Sequence, residues 1–168
     1  GVVGLITPWN FPVAIPAWKL APALVSGNTV VLKPASAAPL TAMNIVIALE
    51  EAGLPAGVVN FVTGSGSVAG RELGANPAVK GVSFTGSDTV GCSLYGQVTG
   101  RGGKAQCEMG GKNPVIVLED ADIEKAVNLT VNGSMWSTGQ KCTSTSRAIV
   151  HESVVEEFTR RVLDGVAS

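Results

Sequence analysis

The sequence predicts an α/β fold: a parallel sheet with helices on both faces, followed by the start of a second α/β domain. Short runs of apolar and β-branched residues alternate with longer segments of helical periodicity, a pattern typical of βαβ units. The short runs are apolar almost throughout, as expected for parallel strands buried on both faces. Glycine and proline stand between most of these segments and mark where each one ends.

The first part of the chain carries most of the predicted sheet. Gly27 ends the first helix with a left-handed cap, and Pro39 fits the first turn of the second helix. In that second helix Leu40, Met43 and Ile47 share one apolar face. The strands are expected over 2–6, 29–33, 58–63, 81–84 and 105–108. The helices are expected over 15–26, 39–52, a short piece through residue 73, and from the turn at 85–87 to about residue 98.

Gly110 and Gly111 mark the predicted domain boundary. We expect a nucleotide-binding first domain over residues 1–110 and the first part of another domain over 111–168. The chain starts inside a strand-like segment and without Met, so we expect a piece of a longer protein.

After the boundary the pattern of strand and helix begins again. A strand is predicted over 114–118, and Asp122 caps a helix that runs to about residue 135. A polar loop and a strand over 147–150 follow. A capping box over 153–156 opens a last helix, whose inward positions are Val155, Phe158 and Val162.

Composition narrows the kinds of partner. The chain has 168 residues, of which 12 are Lys or Arg and 13 are Asp or Glu, so its formal net charge is −1. Because no basic cluster is evident, we expect neither nucleic acid nor an anionic membrane as a partner. No apolar run is long enough to cross a bilayer. A small-molecule ligand is the remaining expectation.

Cysteine and histidine usage limits the chemistry further. Cys92, Cys107 and Cys142 are odd in number and have unrelated spacings, which suits free thiols in a reducing compartment and predicts a cytoplasmic protein. The single histidine, His151, leaves no histidine-based zinc site and no Ser-His-Asp triad. We therefore expect no metal.

One cysteine lies in a loop that carries almost no apolar side chains. Gly139, Gln140 and Lys141 precede Cys142, and hydroxyl residues follow it. A cysteine that only packs usually has apolar neighbours, whereas an accessible thiol is a strong nucleophile. Cys142 is therefore either a catalytic nucleophile or an unreactive loop thiol.

Two glycine-rich turns each follow a strand and open a helix, where backbone N–H groups and the helix dipole favour a phosphate. The turn over 64–70 is one residue too long for the dinucleotide fingerprint. The turn over 86–93 has P-loop spacing but Cys92 in place of the required lysine, which excludes a P-loop NTPase. Each turn alone is equally explained as a strand-to-helix connection. Together, at successive strand ends of one sheet, they favour a nucleotide across its carboxyl edge.

Three further polar residues have both a catalytic and a structural explanation. Glu108 ends an apolar strand beside two glycines, which suits a partly desolvated base, although a surface glutamate has the same pattern. Asn10 lies among prolines, either as an oxyanion donor or as a turn residue. His151 is expected to be solvated and pairs with Cys142 only if it folds back.

Five segments follow one another along the chain: Pro8-Trp9-Asn10-Phe11-Pro12, Leu32-Lys33-Pro34-Ala35, Phe84-Thr85-Gly86-Ser87 with Gly91, Glu108-Met109-Gly110-Gly111-Lys112-Asn113-Pro114, and Gly139-Gln140-Lys141-Cys142. Together they resemble the successive signatures of the aldehyde dehydrogenase superfamily, in the family's order. The resemblance extends over essentially the whole chain. Around Cys142 the sequence is most similar to that of the α-ketoglutaric semialdehyde dehydrogenases.

The resemblance implies a variant Rossmann domain and the NAD(P)-dependent oxidation of an aldehyde to a carboxylic acid. It makes Cys142 the nucleophile, acting through a thiohemiacetal and a thioester. Asn10 and the Cys142 N–H would hold the oxyanion, and Glu108 would activate the hydrolytic water. The small-molecule partner would then be an aldehyde, and the full-length protein a homodimer or homotetramer.

The resemblance also implies which residues hold NAD or NADP. Lys33, assigned to the catalytic set as well, matches the family lysine that hydrogen-bonds the adenosine ribose, and Ser87 matches the pyrophosphate contact. The full implied set is Ile6, Thr7, Pro8, Trp9, Lys33, Pro34, Ala35, Ser36, Gly66, Gly70, Phe84, Thr85, Gly86, Ser87, Val90, Glu108, Met109 and Gly110.

Two departures from the family limit these implications. Ser36 stands where many NAD-preferring relatives have a glutamate that would repel a 2′-phosphate, so NADP is an admissible cofactor. The chain is also much shorter than family members, so a competing hypothesis is a truncated nucleotide-binding fragment without turnover. A third hypothesis is a cofactor-free cysteine acyltransferase or hydrolase that uses His151.

Overall fold

The computed structural model describes residues 1–167 and divides them into two compact units. The first is Gly1–Met109, and the second begins at Gly110. The division adjoins the Gly110-Gly111 pair at which the sequence predicts a boundary. Each unit has an apolar core of its own and is described separately.

Five parallel strands form the sheet of the first unit, in the order β3-β2-β1-β4-β5. The α/β prediction is therefore confirmed. The order reverses between β1 and β4, as in doubly wound sheets. The strands are β1 Val2–Ile6, β2 Thr29–Lys33, β3 Val59–Phe61, β4 Val79–Gly86 and β5 Lys104–Met109.

Four helices connect these strands: α1 Ala14–Val25, α2 Pro39–Glu51, α3 Arg71–Ala75 and α4 Asp88–Gly100. A π-helical turn, Gly66–Gly70, leads directly into α3. The predicted bounds hold to within one or two residues for most elements. Strand β4 is longer than predicted because it pairs with β1 at its start and with β5 as far as Gly86.

Helices cover both faces of this sheet. Leu5 of β1 packs in a cluster with Leu20 of α1 and Val46 of α2. The next residue, Ile6, belongs to a second cluster that includes Leu73 of α3 and Leu94 of α4. Successive side chains of a strand point to opposite faces, so α1 and α2 lie on one face and α3 and α4 on the other.

The prediction of which face of α2 packs against the core is wrong. Leu40 is 78% exposed and Ile47 is exposed as well, whereas Ala42 and Val46 are buried. Most of this helix is apolar, so its periodicity admits more than one inward stripe. A shift of one position along the sequence rotates the stripe by about 100°. Met43 packs against the cluster in either arrangement.

The second unit contains a two-stranded parallel sheet and two helices. Strands β6 Asn113–Val117 and β7 Thr145–Val150 are joined by α5 Ile123–Met135, and α6 Val155–Ala167 follows. The predicted cap of α5 is confirmed, since Asp122 Oδ1 accepts a hydrogen bond from the Lys125 N–H at 3.0 Å. No helix within residues 1–167 combines the length and the apolar character needed to cross a bilayer.

The start of α6 differs from the prediction. Val155 is exposed, and Val154 packs against the core in its place. The Ser153 hydroxyl lies 2.9 Å from His151 Nδ1, and the helix begins at Val155. Phe158 is buried as predicted. The inward stripe is therefore displaced by one position at the helix start only.

Candidate active site

The carboxyl ends of all five strands lie along one edge of the first sheet, because the strands are parallel. In doubly wound sheets ligands bind outside this edge, where the strand order reverses, which here is between β1 and β4. Most residues assigned to the cofactor by resemblance lie at or just after these strand ends. Those in the first unit are Ile6, Thr7, Pro8, Trp9, Lys33, Pro34, Ala35, Ser36, Gly66, Gly70, Phe84, Thr85, Gly86, Ser87, Glu108 and Met109, with Val90 one turn into α4.

Thr7 follows β1 at this edge and is 3% exposed. Its backbone N–H donates to the Lys33 carbonyl at 3.2 Å, which continues the pairing of β1 with β2. Its hydroxyl oxygen is buried and has no hydrogen-bond partner within residues 1–167. A buried hydroxyl without a partner is costly. The edge therefore offers a polar atom that a bound ligand would satisfy.

Lys33 ends β2 and places a buried amine at the same edge. The residue is 4% exposed, and its Nζ donates to the Pro34 carbonyl at 2.9 Å. Burial lowers the pKa of this amine from its ordinary value. An ammonium group has three N–H donors, and the carbonyl uses one of them. The remaining donors suit the hydroxyls of a ribose.

Hydroxyl groups line the rim beyond β2 and β3. Ser36 Oγ donates to the Gly64 carbonyl at 3.4 Å, and the hydroxyls of Ser65 and Ser67 lie 3.1 Å apart. All three serines are exposed. A Cβ atom added at Gly66 would meet nothing within 4 Å, so the start of the π-helical turn faces open space.

The junction of β4 and α4 is tightly packed below and open at the helix start. A Cβ atom on Gly86 would lie 2.5 Å from Phe84 Cζ, and one on Gly91 would lie 2.5 Å from Met109 Sδ. Ser87 precedes α4, and its side chain does not cap the helix. The first N–H groups of this 13-residue helix thus suit an anionic group at the carboxyl edge.

Glu108 belongs to a chain of hydrogen bonds that crosses three elements. Lys19 Nζ of α1 donates to Ser83 Oγ at 2.7 Å and to Gln106 Oε1 at 3.4 Å. Ser83 Oγ also donates to Gln106 Oε1. Gln106 Nε2 in turn donates to Glu108 Oε1 at 2.8 Å. The exposed carboxylate of Glu108 is therefore held by the Gln106 amide, which is itself held by the buried Lys19.

Sequence reasoning missed Lys19. Burial lowers its pKa from the ordinary 10.5, and the negative charges of Glu108 and Cys107 oppose that change. The signal available in the sequence was a single charged residue in the otherwise apolar segment that forms α1. Its partners were not predictable, because they depend on how β4 and β5 align.

Asn10 lies in the segment between β1 and α1 and is half-buried. Glu108 is the penultimate residue of β5, two strands away from β1 in the same sheet. The first unit therefore carries both the predicted oxyanion donor and the predicted base on its carboxyl side. The predicted nucleophile, Cys142, belongs to the second unit.

Cys142 lies in a short turn and is exposed. The Ser144 N–H donates to the Lys141 carbonyl at 3.1 Å, and the Lys141 N–H donates to Ser144 Oγ at 3.3 Å. The Lys141–Cys142 peptide is trans, so the Cys142 N–H points opposite to the Lys141 carbonyl. Because that carbonyl faces into the turn, the Cys142 N–H points out of it. The turn thus presents a thiol and an N–H donor together.

The backbone before the turn has an unusual conformation. Ser137 and Thr138 have φ values of 56° and 55°, and Gly139 has a φ of 69°. Left-handed backbone at two residues with side chains is uncommon and costs free energy. Lys141 Nζ lies 3.9 Å from the centroid of the Trp136 ring, a cation–π contact that spans this segment.

His151 lies far from Cys142 within the second unit. Cys142 precedes β7, whereas His151 follows its last residue, Val150. Six extended residues separate the two ends by about 20 Å. His151 contacts Ser153 and lies 3.9 Å from Glu119 Oε2. This arrangement removes the hypothesis of a Cys-His pair and leaves His151 as the solvated strand end that the sequence favours.

No group of three or more His, Cys, Asp or Glu side chains within residues 1–167 is arranged to hold a metal ion. Taken separately, the first unit carries a nucleotide-type sheet edge with a carboxylate and buried donors, and the second unit carries an exposed thiol. An exposed thiol is suited to covalent chemistry on a carbonyl group, and the sheet edge is suited to a nucleotide.

Comparison with known proteins gives consistent matches. The model of the aldehyde dehydrogenase family matches residues 1–168. The alpha-ketoglutaric semialdehyde dehydrogenase of Bacillus subtilis (strain 168) is 56% identical over 163 residues, which are 97% of this chain and 33% of that relative. The chain thus spans about a third of the length of the curated relatives it matches.

Two solved structures are also similar over the whole chain. Betaine aldehyde dehydrogenase from Staphylococcus aureus in complex with NAD+ has a TM-score of 0.97 and 38% identity, and the match covers 33% of that chain. 3,6-Anhydro-L-galactose dehydrogenase in complex with NADP has a TM-score of 0.96 and 42% identity, and the match covers 35% of that chain. The resemblance seen in the five sequence signatures is confirmed: this chain belongs to the aldehyde dehydrogenase family.

Proposed function

We propose that this chain is the cofactor-binding and nucleophile-bearing part of an enzyme that oxidises an aldehyde to a carboxylic acid with NAD or NADP. The first unit would be the cofactor-binding domain and the second the start of the catalytic domain. The observation that carries the proposal is the exposed Cys142 turn with its outward N–H, in a chain of this family. The activity belongs to the whole protein, of which this chain is about a third by comparison with its relatives.

Cys142 begins the reaction as the nucleophile. Its thiolate sulfur adds to the aldehyde carbon, and the carbonyl oxygen becomes the oxyanion of a thiohemiacetal. The outward N–H of Cys142 donates to that oxyanion, and the Asn10 amide supplies a second donor. Two donors aimed at a developing charge stabilise the transition state more than the neutral aldehyde.

Glu108 completes the reaction as a general base. The chemistry that NAD(P) supplies when bound is acceptance of the hydride that leaves the former aldehyde carbon, so Cys142 then carries a thioester. Glu108 takes a proton from water, the hydroxide adds to the thioester carbon, and the Cys142 thiolate leaves. The carboxylic acid that forms ionises to a carboxylate, and both its proton and the one held by Glu108 pass to solvent. The hydrogen bond from Gln106 keeps this carboxylate at the end of β5.

The carboxyl edge of the first sheet fits a dinucleotide. The Thr7 hydroxyl has no hydrogen-bond partner within residues 1–167, and the buried Lys33 amine uses one of its donors on the Pro34 carbonyl, which leaves donors for a ligand. Lys33 would hold the adenosine ribose, and the N-terminus of α4 with Ser87 would hold the pyrophosphate. The remaining residues implied by resemblance would line the cleft, among them Gly110 at the start of the second unit.

We propose that NADP is used as well as NAD. The exposed Ser36 hydroxyl, together with Ser65 and Ser67, lines the rim beside Lys33. Hydroxyls donate to a 2′-phosphate, whereas a carboxylate at position 36 would repel it. A titration of the free full-length enzyme that detects NAD binding and no NADP binding would contradict this assignment.

The relatives suggest the substrate, and the cysteines bear on the cellular location. The B. subtilis relative is named for alpha-ketoglutaric semialdehyde, and we propose an aldehyde of that type here. The three cysteines within residues 1–167 are free thiols, which agrees with the predicted cytoplasmic location. We expect the full-length protein to assemble as a homodimer or homotetramer.

A burst experiment on the full-length protein tests the proposal. Enzyme mixed with NADP or NAD and a small aldehyde should give absorbance at the reduced nicotinamide band, with a burst stoichiometric with protein. Cys142→Ala should abolish the burst while cofactor binding persists. The same mixture with the 168-residue chain alone tests the alternative: cofactor binding without any burst there would favour a nucleotide-binding fragment without turnover. Full activity of Cys142→Ala would remove Cys142 as the nucleophile.

A further inference from the structure

The Cys142 turn is held by a side chain from another element. Asn113 Nδ2 donates to the carbonyl oxygen of Cys142 at 2.7 Å and to that of Ser144 at 3.0 Å. A side-chain amide has two N–H donors, so these two contacts use both. The two carbonyls lie on either side of Thr143 and face the same amide group.

These contacts complete the positioning of Cys142. The conformation of a residue is set by the two peptide planes that flank it. The plane before Cys142 is fixed by the reciprocal bonds between Lys141 and Ser144. The plane after Cys142 contains its own carbonyl, which Asn113 holds. With both planes fixed, the directions of the Cys142 N–H and of its Cα–Cβ bond are fixed as well.

Asn113 is itself firmly held. It is the first residue of β6, pairs with Thr145 of β7, and its carbonyl accepts from Ser146 Oγ at 3.4 Å. Just before it, the Lys112 carbonyl accepts from Arg147 Nε at 3.1 Å and from Nη2 at 3.0 Å. The amide therefore projects from a strand start that is tied to β7 on both sides. A side chain on such a support holds a loop more accurately than a side chain on another loop.

We propose that Asn113 is a positioning residue, whose two-donor amide sets the direction of the Cys142 thiol and N–H for attack on the aldehyde. The inference rests on the proposed function. It requires an amide at position 113 because both partners are carbonyl oxygens. A carboxylate of the same shape has no donor when ionised, and the oxygen in place of Nδ2 would face both carbonyl oxygens.

The test uses the full-length protein and the variants Asn113→Asp and Asn113→Ala. Asn128→Asp is the matched control, since Asn128 is exposed on α5 and the substitution makes the same charge change. We expect kcat to fall roughly 100-fold in Asn113→Asp, because a displacement of about 1 Å costs that much, and by less in Asn113→Ala. Alkylation of Cys142 by iodoacetamide, followed by peptide mass spectrometry, should slow in the same order.

The readouts separate positioning from a general loss of structure. Positioning lowers kcat and the alkylation rate and leaves the Kd for NAD and NADP and the unfolding midpoint at the values of the Asn128→Asp control. If Asn113→Asp turns over and is alkylated within twofold of that control, the proposal is overturned. If Asn113→Asp does not fold, Asn113→Ala decides by the same criteria. Full activity of Cys142→Ala refutes the proposed function instead, whatever position 113 does.

Discussion

Gly86 offers the sharpest test of how the carboxyl edge is packed. A Cβ atom at this position would lie 2.5 Å from Phe84 Cζ and 3.1 and 3.2 Å from the two Cε atoms. Phe84 is buried in the core cluster on the α3 and α4 face, so its ring is not the free end of a flexible side chain. The ring has to move by about 1 Å to restore ordinary van der Waals contact.

The expected cost of Gly86→Ala follows from this overlap. Adding a methyl group to a well-packed core destabilises by roughly 1–3 kcal/mol. The matched control is Gly96→Ala, because Gly96 is exposed in the middle of α4 and a Cβ atom there meets nothing within 4 Å. Alanine is favoured over glycine in a helix by about 0.5–1 kcal/mol, so the control should gain stability. The same substitution thus has opposite signs at two nearby positions.

Urea unfolding of the two variants in the full-length, cofactor-free protein measures this difference. We expect the midpoint to fall for Gly86→Ala and to rise for Gly96→Ala. Fluorescence titration should also give weaker NAD binding for Gly86→Ala, since Gly86 adjoins Ser87 at the start of α4. A Gly86→Ala protein as stable as its Gly96→Ala counterpart would show that the steric reasoning is wrong.

Three further predictions concern single side chains. Because burial lowers the pKa of Lys19, the unfolded chain binds that proton more tightly, so the free energy of unfolding should rise as the pH is raised toward 10.5. In urea titrations over this pH range, Lys19→Met should remove part of the rise. An unchanged dependence of the unfolding free energy on pH would contradict the prediction. Ser36→Glu should weaken NADP binding by about tenfold or more and leave NAD binding nearly unchanged, as measured by fluorescence titration. Equal losses for both cofactors would exclude the proposal that residue 36 lies beside the 2′-phosphate of NADP. Gly139→Ala should destabilise the second unit by about 1–3 kcal/mol and slow alkylation of Cys142. The reason is that residue 139 has a φ of 69° and that a Cβ atom there would lie 2.9 Å from the Ser134 carbonyl oxygen. Unchanged thermal unfolding of the variant would refute this prediction.

Local patterns in the sequence were enough to predict much of the fold. The cap at Asp122 and the proline at the start of α2 act within one helical turn, so neighbouring residues reveal them. Strands β1 and β2 were visible because strands inside a parallel sheet are buried on both faces and therefore almost continuously apolar. The carboxyl-edge position of Lys33 and Glu108 then followed from the parallel arrangement alone.

Contacts between distant parts of the chain were not predictable in the same way. Lys19 reaches Glu108 through Ser83 and Gln106, and this depends on the register that aligns Ser83 with Gln106. The contact of Asn113 with the Cys142 turn likewise depends on the pairing of β6 with β7. The prediction of which face of α2 is buried was wrong, because the apolar residues of this helix are too widely distributed for periodicity to identify one face.

The central position of β1 has a consequence for synthesis of the chain. Its partner β4 starts roughly 75 residues later, so at ~5–20 residues per second the ribosome delivers that partner only after about 4–15 seconds. Until then the side of β1 that pairs with β4 has no partner, which leaves its backbone groups unpaired in the nascent chain. Of the pairings in this sheet, the one that joins Leu5 and Ile6 to β4 therefore spans the greatest separation along the chain and is the last that β1 can complete.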